Sequence, residues 1–288
     1  MPSRPFLRAI LVGAGAMLVL VLAFLLFRGS SAPEPALPEN FDTAQFVAGR
    51  PKLDAPYVAT DLEVVDAMLG LAQVRPGDHV IDLGSGDGRI LIAAARSLGA
   101  GGLGVDIDPV RVREAQANAR AAGVAARVAF RRQDLFDTPL AEADVLTLYL
   151  LPEVNLRLRP RILTQMRPGT RVVSHDFDMG EWRPDERRRV GTATVLLWIV
   201  PARIEGSWRL SDGDRSATLA LDQQFQAFIG TAAADGRAAR VEQGSLSGEA
   251  IRFLLDLGEG RRVYEGQVEG DAIVPANPRA GWRMERMR

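Results

Sequence analysis

Val80–Arg89 reads VIDLGSGDGR. The apolar residues Val80, Ile81 and Leu83 predict a short strand that runs into three alternating glycines and the start of a helix. Strand, glycine-rich turn and helix, in that order, form the ligand corner of a doubly wound α/β sheet, beyond the carboxyl ends of its strands. The spacing is Asp82-x-Gly84-x-Gly86-x-Gly88, not the G-x-G-x-x-G of dinucleotide enzymes. Gly84, Gly86 and Gly88 let the backbone pass closely under a ligand, because a Cβ there would collide or forbid positive φ. This points to a nucleoside ligand without a pyrophosphate, S-adenosyl-L-methionine, with Asp82 and Ser85 in its cradle. Ordinary turn glycines are the plainer reading, and the residues downstream weigh against it.

The helix expected from about Gly88 to Leu98 is apolar and alanine-rich, suited to close packing on a sheet. A second strand, Leu103–Asp106, places its acid about twenty residues beyond the glycines, where a ribose hydroxyl would be held. Asp108 precedes Pro109 and is read as a helix N-cap, which leaves the ribose to Asp106. A third strand, Arg127–Arg132, ends at Asp134. The Asp134 carboxylate can accept from an adenine amino group, with Leu135 or Phe136 against the ring; a loop-capping carboxylate is the structural alternative. Asp144–Tyr149, Glu153–Met166, Arg171–Ser174 and Thr192–Val200 read as strand, helix, strand and a closing strand of the same sheet. The charged run RPDERRR at Arg183–Arg189 reads as a solvated loop, or as a contact for anionic headgroups beside a bilayer.

A chain of 288 residues, 47% of them hydrophobic, holds a full α/β core and a smaller unit besides. A net charge of −1 gives no footprint for a polyanion, so no nucleic-acid partner is expected. The absence of cysteine removes disulfide, thiolate and thiolate–zinc chemistry, and His79 and His175 alone are too few for a histidine-rich metal site. Lys52 is the single lysine, and the alanine-, glycine- and arginine-rich remainder reads as the product of a GC-rich bacterial genome.

Four segments are expected. Residues 1–28 carry the uncharged stretch Ala9–Phe27, whose nineteen residues at about 1.5 Å each nearly span a bilayer's hydrocarbon core. It is read as an uncleaved transmembrane helix, because Pro33 directly follows the only candidate cleavage site. Arg4 and Arg8 against Arg28 favour a cytoplasmic amino terminus, whereas a cytosolic cosubstrate favours a cytoplasm-facing domain; the latter is the expectation adopted. Residues 29–55 form a Pro/Ala-rich linker and residues 56–202 the cofactor domain, with Thr60-Asp61-Leu62-Glu63 a capping box for its first helix. Residues 203–288 alternate and turn without helical periodicity. A weak repeat relates Gly244–Ile251 to Gly266–Ile273, each a strand, a Gly-acid turn and a second strand, and predicts an antiparallel meander or small barrel.

From about Asp54 to Pro201 the chain resembles class I S-adenosylmethionine-dependent methyltransferases. Within them it is most similar to the membrane-anchored lysine methyltransferases of the ATP synthase c subunit and the adenine nucleotide translocase. The likeness rests on Pro56–Thr60 (PYVAT), Asp82–Ala95 (DLGSGDGRILIAAA) and Phe177–Asp185 (FDMGEWRPD). Two departures are Ala59, where the family usually has proline, and Tyr149-Leu150-Leu151-Pro152 after the fourth strand, which leaves the acceptor open. The resemblance implies that Tyr57 and the Thr60 hydroxyl close over the methionine end of the cofactor. It also implies a lysine acceptor in a protein substrate, a membrane protein given the anchor, with the bilayer as second partner. At the acceptor mouth Tyr149 can orient an amine, Asp176 can take its proton, and His175 is a candidate base for a hydroxyl acceptor. Packing and strand-end roles are the alternatives for all three. Two other functions remain: methylation of a small molecule or lipid at oxygen or nitrogen, and a noncatalytic membrane scaffold that retains the fold.

Overall fold

The computed structural model describes residues 58–287. The expected anchor, the linker and Tyr57 lie outside the described residues. Among the described residues no helix is long and apolar enough to cross a membrane.

The chain first builds α1 (Leu62–Leu71), β1 (His79–Leu83), α2 (Arg89–Leu98), β2 (Gly101–Asp106), α3 (Pro109–Ala121) and β3 (Val128–Arg132). β4 (Val145–Leu148), α4 (Pro152–Gln165), β5 (Arg171–His175), β6 (Glu186–Val190) and β7 (Ala193–Ile199) follow. These seven strands form one sheet in the order β3-β2-β1-β4-β5-β7-β6. β1 to β5 run parallel, and β7 is antiparallel to both β5 and β6. The strand order reverses between β1's neighbours β2 and β4, which opens a crevice at the carboxyl ends of the strands. Strand alternation divides the buried side chains between two cores. Val80 joins the face covered by α1, α2 and α3, whereas Ile81 and Leu83 pack on the α4 side with Trp182 and Trp198.

Local chemistry explains the element ends. Asp108 Oδ1 accepts from Val110 N–H at 2.8 Å, so the expected cap of α3 is present, with Pro109 at its first position. Gly88 caps α2 at φ 81°, and a Cβ there would stand 2.6 Å from the Phe130 ring. Two expectations need correction. The capping box does not form, because Asp61 occupies the N-cap position without a side-chain cap bond and Thr60 is one residue too early. The run Arg183–Arg189 is not all loop, since Glu186–Val190 is the edge strand β6 paired to β7. Its charges hid the strand: an edge strand can be polar on both faces, and charge there discourages pairing with other chains.

β8 (Gly206–Asp212), β9 (Arg215–Gln224), β10 (Ala227–Ala234), β11 (Arg237–Ser247), β12 (Ala250–Asp256), β13 (Arg261–Glu269), β14 (Ala272–Pro275) and β15 (Trp282–Arg286) close into an antiparallel barrel. Alternate residues such as Ala217, Leu219 and Leu221 point inward, around Trp208, Phe253, Tyr264 and Trp282. The two repeat copies are the β11–β12 and β13–β14 hairpins, turning at Gly248 and Gly270, each at φ 61°. Gly244 and Gly266 keep the wall close to Phe228 and to Trp282, respectively.

The barrel docks on the α/β unit through the β9–β10 turn. Phe225 stacks on Trp182 with centroids 6.1 Å apart and lies under the Arg159 guanidinium at 5.3 Å. Gln226 Nε2 donates to the Arg183 carbonyl at 2.7 Å. Phe225 holds φ at 57°, an unusual conformation for a bulky side chain, sustained here by its seat between the two units. Phe225→Ala is expected to lower stability by about 2 kcal/mol. Urea denaturation followed by tryptophan fluorescence, with Trp182 in the contact, checks it; an unchanged midpoint would show that the turn does not hold the units together.

Candidate active site

β1 brings Asp82 to the crevice fully buried, where its Oδ1 accepts from Thr147 Oγ1 at 2.6 Å and its Oδ2 has no partner among the described residues. Burial pushes this carboxyl up from 3.8 to about 7, opposed by the Thr147 bond and reinforced by Asp106 and Asp87. Ser85 lies beside it, buried, its Oγ also unpartnered. Two orphaned polar atoms in one cleft require a ligand or water, since buried polar atoms are rarely left unsatisfied. The cleft measures about 1060 Å³ with its open mouth included.

Asp106 closes β2 and braces the turn: its Oδ2 accepts from Gly86 N–H and its Oδ1 from Asp108 N–H, both at 2.9 Å. Each oxygen keeps a lone pair for a hydroxyl in the cleft. Asp134 Oδ1 accepts from Phe136 N–H at 2.8 Å, so the loop-capping role is real, and Oδ2 is left for a ligand. Asp134, Leu135, Asp106, Asp108, Asp82, Gly84 and Ser85 all line the cleft. Tyr149 and Thr60 line it as well. Gly86 and Gly88 are not in the lining. Gly86 gives its N–H to Asp106, and Gly88 makes room for Phe130.

Thr60, His175 and Asp176 form a chain of polar contacts beside Tyr149. Thr60 Oγ1 lies 3.2 Å from His175 Nδ1, and His175 Nε2 lies 3.4 Å from Asp176 Oδ2. Burial lowers the His175 pKa, opposed by the charges of Asp176 and Asp61. A neutral ring with its proton on Nε2, accepting the Thr60 hydroxyl at Nδ1, satisfies both contacts. Asp176 holds φ at 60°, fixed by Thr194, whose carbonyl accepts the Asp176 N–H at 2.7 Å and whose N–H donates to Oδ1 at 2.6 Å. The Tyr149 ring stacks on His175 at 3.8 Å and faces Phe177 at 6.1 Å. Burial raises the Tyr149 pKa, as do the charges of Asp176 and Asp61. His175 and Asp176 therefore stand behind Tyr149 and outside the cleft lining.

Sequence reading missed Asp87, Arg89, Leu150 and Val154 in the lining. Arg89 grips both Asp87 oxygens and donates from Nη1 to the Thr60 carbonyl at 2.8 Å, tying the segment before α1 to the glycine turn. The missed signal was Asp87-x-Arg89 within the glycine motif itself. Leu150 and Val154, four residues apart at the start of α4, form an apolar wall.

A protein-family profile described as the ANTKMT methyltransferase domain matches residues 82–186. A protein-lysine N-methyltransferase of Saccharolobus islandicus is 41% identical over 150 residues, which are 50% of this chain and 93% of that protein. The chain belongs to this methyltransferase family. The mouse adenine nucleotide translocase lysine N-methyltransferase is 34% identical over 51% of this chain, and the match spans 63% of its own length. A crystal structure of an RNA methyltransferase from Salinibacter ruber, in complex with S-adenosyl-L-homocysteine, is similar at a TM-score of 0.50 and 54% identity. That likeness covers 51% of this chain and 96% of the other. This methyltransferase is thus an S-adenosylmethionine-dependent enzyme, and the orphaned atoms of its cleft fit that cofactor. Trp182 and Asp185 of the FDMGEWRPD stretch, by contrast, are architectural. Trp182 is buried under Phe225 and its carbonyl accepts from Trp198 Nε1 at 2.7 Å, while Asp185 Oδ2 accepts from Ile199 N–H at 2.7 Å.

Proposed function

We propose that this methyltransferase modifies the side-chain amine of lysine in a protein substrate. The observation that carries this reading is the match to the archaeal protein-lysine N-methyltransferase across nearly its whole length. The acceptor end supports it: an aromatic stack of Tyr149, His175 and Phe177 suits an amine, whereas His175, the candidate base for a hydroxyl, already has Thr60 at Nδ1 and Asp176 beside Nε2. His175, read from sequence as a candidate base, acts instead as a neutral platform that fixes the Tyr149 ring.

The geometry of the cleft supports the following roles. Asp82 Oδ2 and Ser85 Oγ would hold the cofactor's ammonium, Asp106 its ribose, Asp134 its adenine amino group and Leu135 the ring face. Gly84 would supply the close approach, and Thr60, held by His175 and Arg89, would cover the methionine end. When bound, the cofactor supplies an electrophilic methyl on a positively charged sulfonium. Tyr149 keeps its phenol protonated and orients the amine lone pair for in-line attack. Desolvation among Tyr149, Leu150 and Val154 lowers the amine pKa, and the released proton leaves to solvent through the open mouth of the cleft; Asp176, read from sequence as its acceptor, lies outside the cleft lining. The uncharged stretch Ala9–Phe27 supports a membrane location and a membrane-protein substrate.

The RNA methyltransferase of Salinibacter ruber gives a second reading, with RNA as acceptor. Full-length enzyme, labelled cofactor and a cell extract separate the two after digestion into amino acids and nucleosides. Label in methyl-lysine upholds the proposal; label in nucleosides alone overturns it. Tyr149→Phe is expected to lower kcat about tenfold or more at unchanged cofactor affinity. An unaltered kcat would remove Tyr149 from the acceptor site.

A further inference from the structure

Among the described residues β6 is the outer edge of the seven-stranded sheet, and β7 is its one partner strand. Its far side therefore presents backbone N–H and C=O groups with no ladder partner among the described residues, a template for another strand. Glu186, Arg187, Arg188 and Arg189 are all exposed along it. Arg188 pairs with Glu186 at 3.4 Å, whereas Arg187 and Arg189 have no hydrogen-bond or ion-pair partner among the described residues. Alternation puts Arg187 and Arg189 on one face of the strand, opposite the face where Val190 packs towards α1. Like charges on this edge oppose pairing with a second copy, while an acidic segment would be drawn in, so charge selects the occupant.

The edge also leads to the acceptor. Arg188 is opposite Val195, and Val195 is opposite His175, whose ring carries Tyr149. Arg189 is opposite Thr194, which holds Asp176. β6 thus terminates at the same end of the sheet as β5, two strands away from the His175 that carries the Tyr149 ring.

We propose that β6 is a docking edge for an acidic, extended segment flanking the methylated lysine, paired as an added strand with its carboxylates on Arg187 and Arg189. This rests on the lysine reading above and deepens it. Geometry fixes a spacing. From Tyr149 on the β4 side to a strand added beyond β6 there are four interstrand steps of about 4.8 Å, roughly 19 Å. An extended chain covers that in about six residues at roughly 3.3 Å each. The lysine should therefore lie about six residues from the acidic run. Main-chain bonds would hold the segment and the arginines would choose it, the division of labour in other strand-addition complexes.

The test uses the full chain and synthetic peptides with one lysine and a four-glutamate run placed about two, six or twelve residues away. The expected result is a KM about tenfold lower at the middle spacing than for a serine-flanked peptide, at equal kcat. In the double variant R187E/R189E that advantage should vanish, a four-arginine run should become the preferred flank, and cofactor affinity should stay unchanged. A glutamate run N-methylated at alternate backbone amides keeps its charge but cannot complete the ladder, and should lose most of the advantage. Flank-independent KM values, equal effects at all three spacings, or full activity of the N-methylated peptide would each overturn strand docking and leave lysine methylation standing. Loss of RNA methylation in R187E/R189E with peptide kinetics untouched would make the edge a phosphate contact and overturn the proposal. If the wild-type enzyme binds cofactor yet methylates no lysine in any peptide, the lysine reading itself fails, a result distinct from all of these.

Discussion

Affinity for S-adenosylmethionine is expected to rise as pH rises towards about 7, by up to tenfold per pH unit below it, and Asp82→Asn should abolish the dependence. The Asp82 carboxyl is buried and protonates near neutrality in the free enzyme because burial penalises its charge. A cofactor carrying an ammonium and a sulfonium stabilises the ionised form, so binding below that pH must first expel a proton. Titration calorimetry between about pH 5.5 and 7.5 reads this directly, with the cofactor's α-amino group still largely protonated. In Asp82→Asn the affinity should be weaker by about a hundredfold at pH 7.5 and flat with pH. Stability moves the other way. The folded carboxyl, raised from 3.8 to about 7, binds its proton more tightly than the unfolded one. Its penalty on folding is absent below 3.8, grows between the two values and is complete above the higher. Without cofactor, Asp82→Asn should therefore be the more stable protein at pH 8, by an amount on the order of a few kcal/mol, and differ little at pH 4. A variant that loses both stability and binding would show Asp82 to be a structural group that the cofactor does not meet.

That carboxyl illustrates where the sequence stops being legible. Asp82, Gly84 and Gly86 are visible as a motif because a strand, a tight turn and a helix leave a local pattern. Nothing local tells that Thr147, on the neighbouring strand, bonds one Asp82 oxygen and leaves the other bare. The same limit applies to His175. A strand-end histidine beside an aspartate reads as a base, but its partner Thr60 is 115 residues away and takes the remaining nitrogen. β6 was hidden for a different reason. Its residues carry charge where a strand pattern needs alternation, and only pairing with β7 reveals it. The barrel was legible as turns and alternation, yet its closure depends on β15 meeting β8, a pairing of the two ends of the unit. The Trp182–Asp185 stretch carried family resemblance without a role, because its work is to seat the barrel turn.

Asp106→Ala should have the largest effect on binding, since one carboxylate serves three clients. It holds the Gly86 N–H and the Asp108 N–H at 2.9 Å each, and it is the proposed partner of the ribose hydroxyls. Truncation removes the cofactor contact and also unpins the glycine turn, so the cleft loses both a ligand group and the preorganisation of its floor. A charge-assisted bond contributes about 1.5–3 kcal/mol, and freeing the turn adds to that. Cofactor affinity should fall by a hundredfold or more. Asp106→Asn divides the two effects. Its single carbonyl oxygen can keep one of the two backbone bonds, and its amide turns an acceptor into a donor facing the other. The variant should fold with a somewhat lower denaturation midpoint and bind weakly, between wild type and Asp106→Ala. Binding of S-adenosylmethionine and of its adenine-free and ribose-modified analogues locates the loss. If 2′-deoxy and 3′-deoxy analogues bind the wild-type enzyme as tightly as the parent, Asp106 is a turn brace and the ribose is held elsewhere. If they lose in the wild type what Asp106→Asn loses with the parent compound, the carboxylate at the end of β2 holds the ribose hydroxyls.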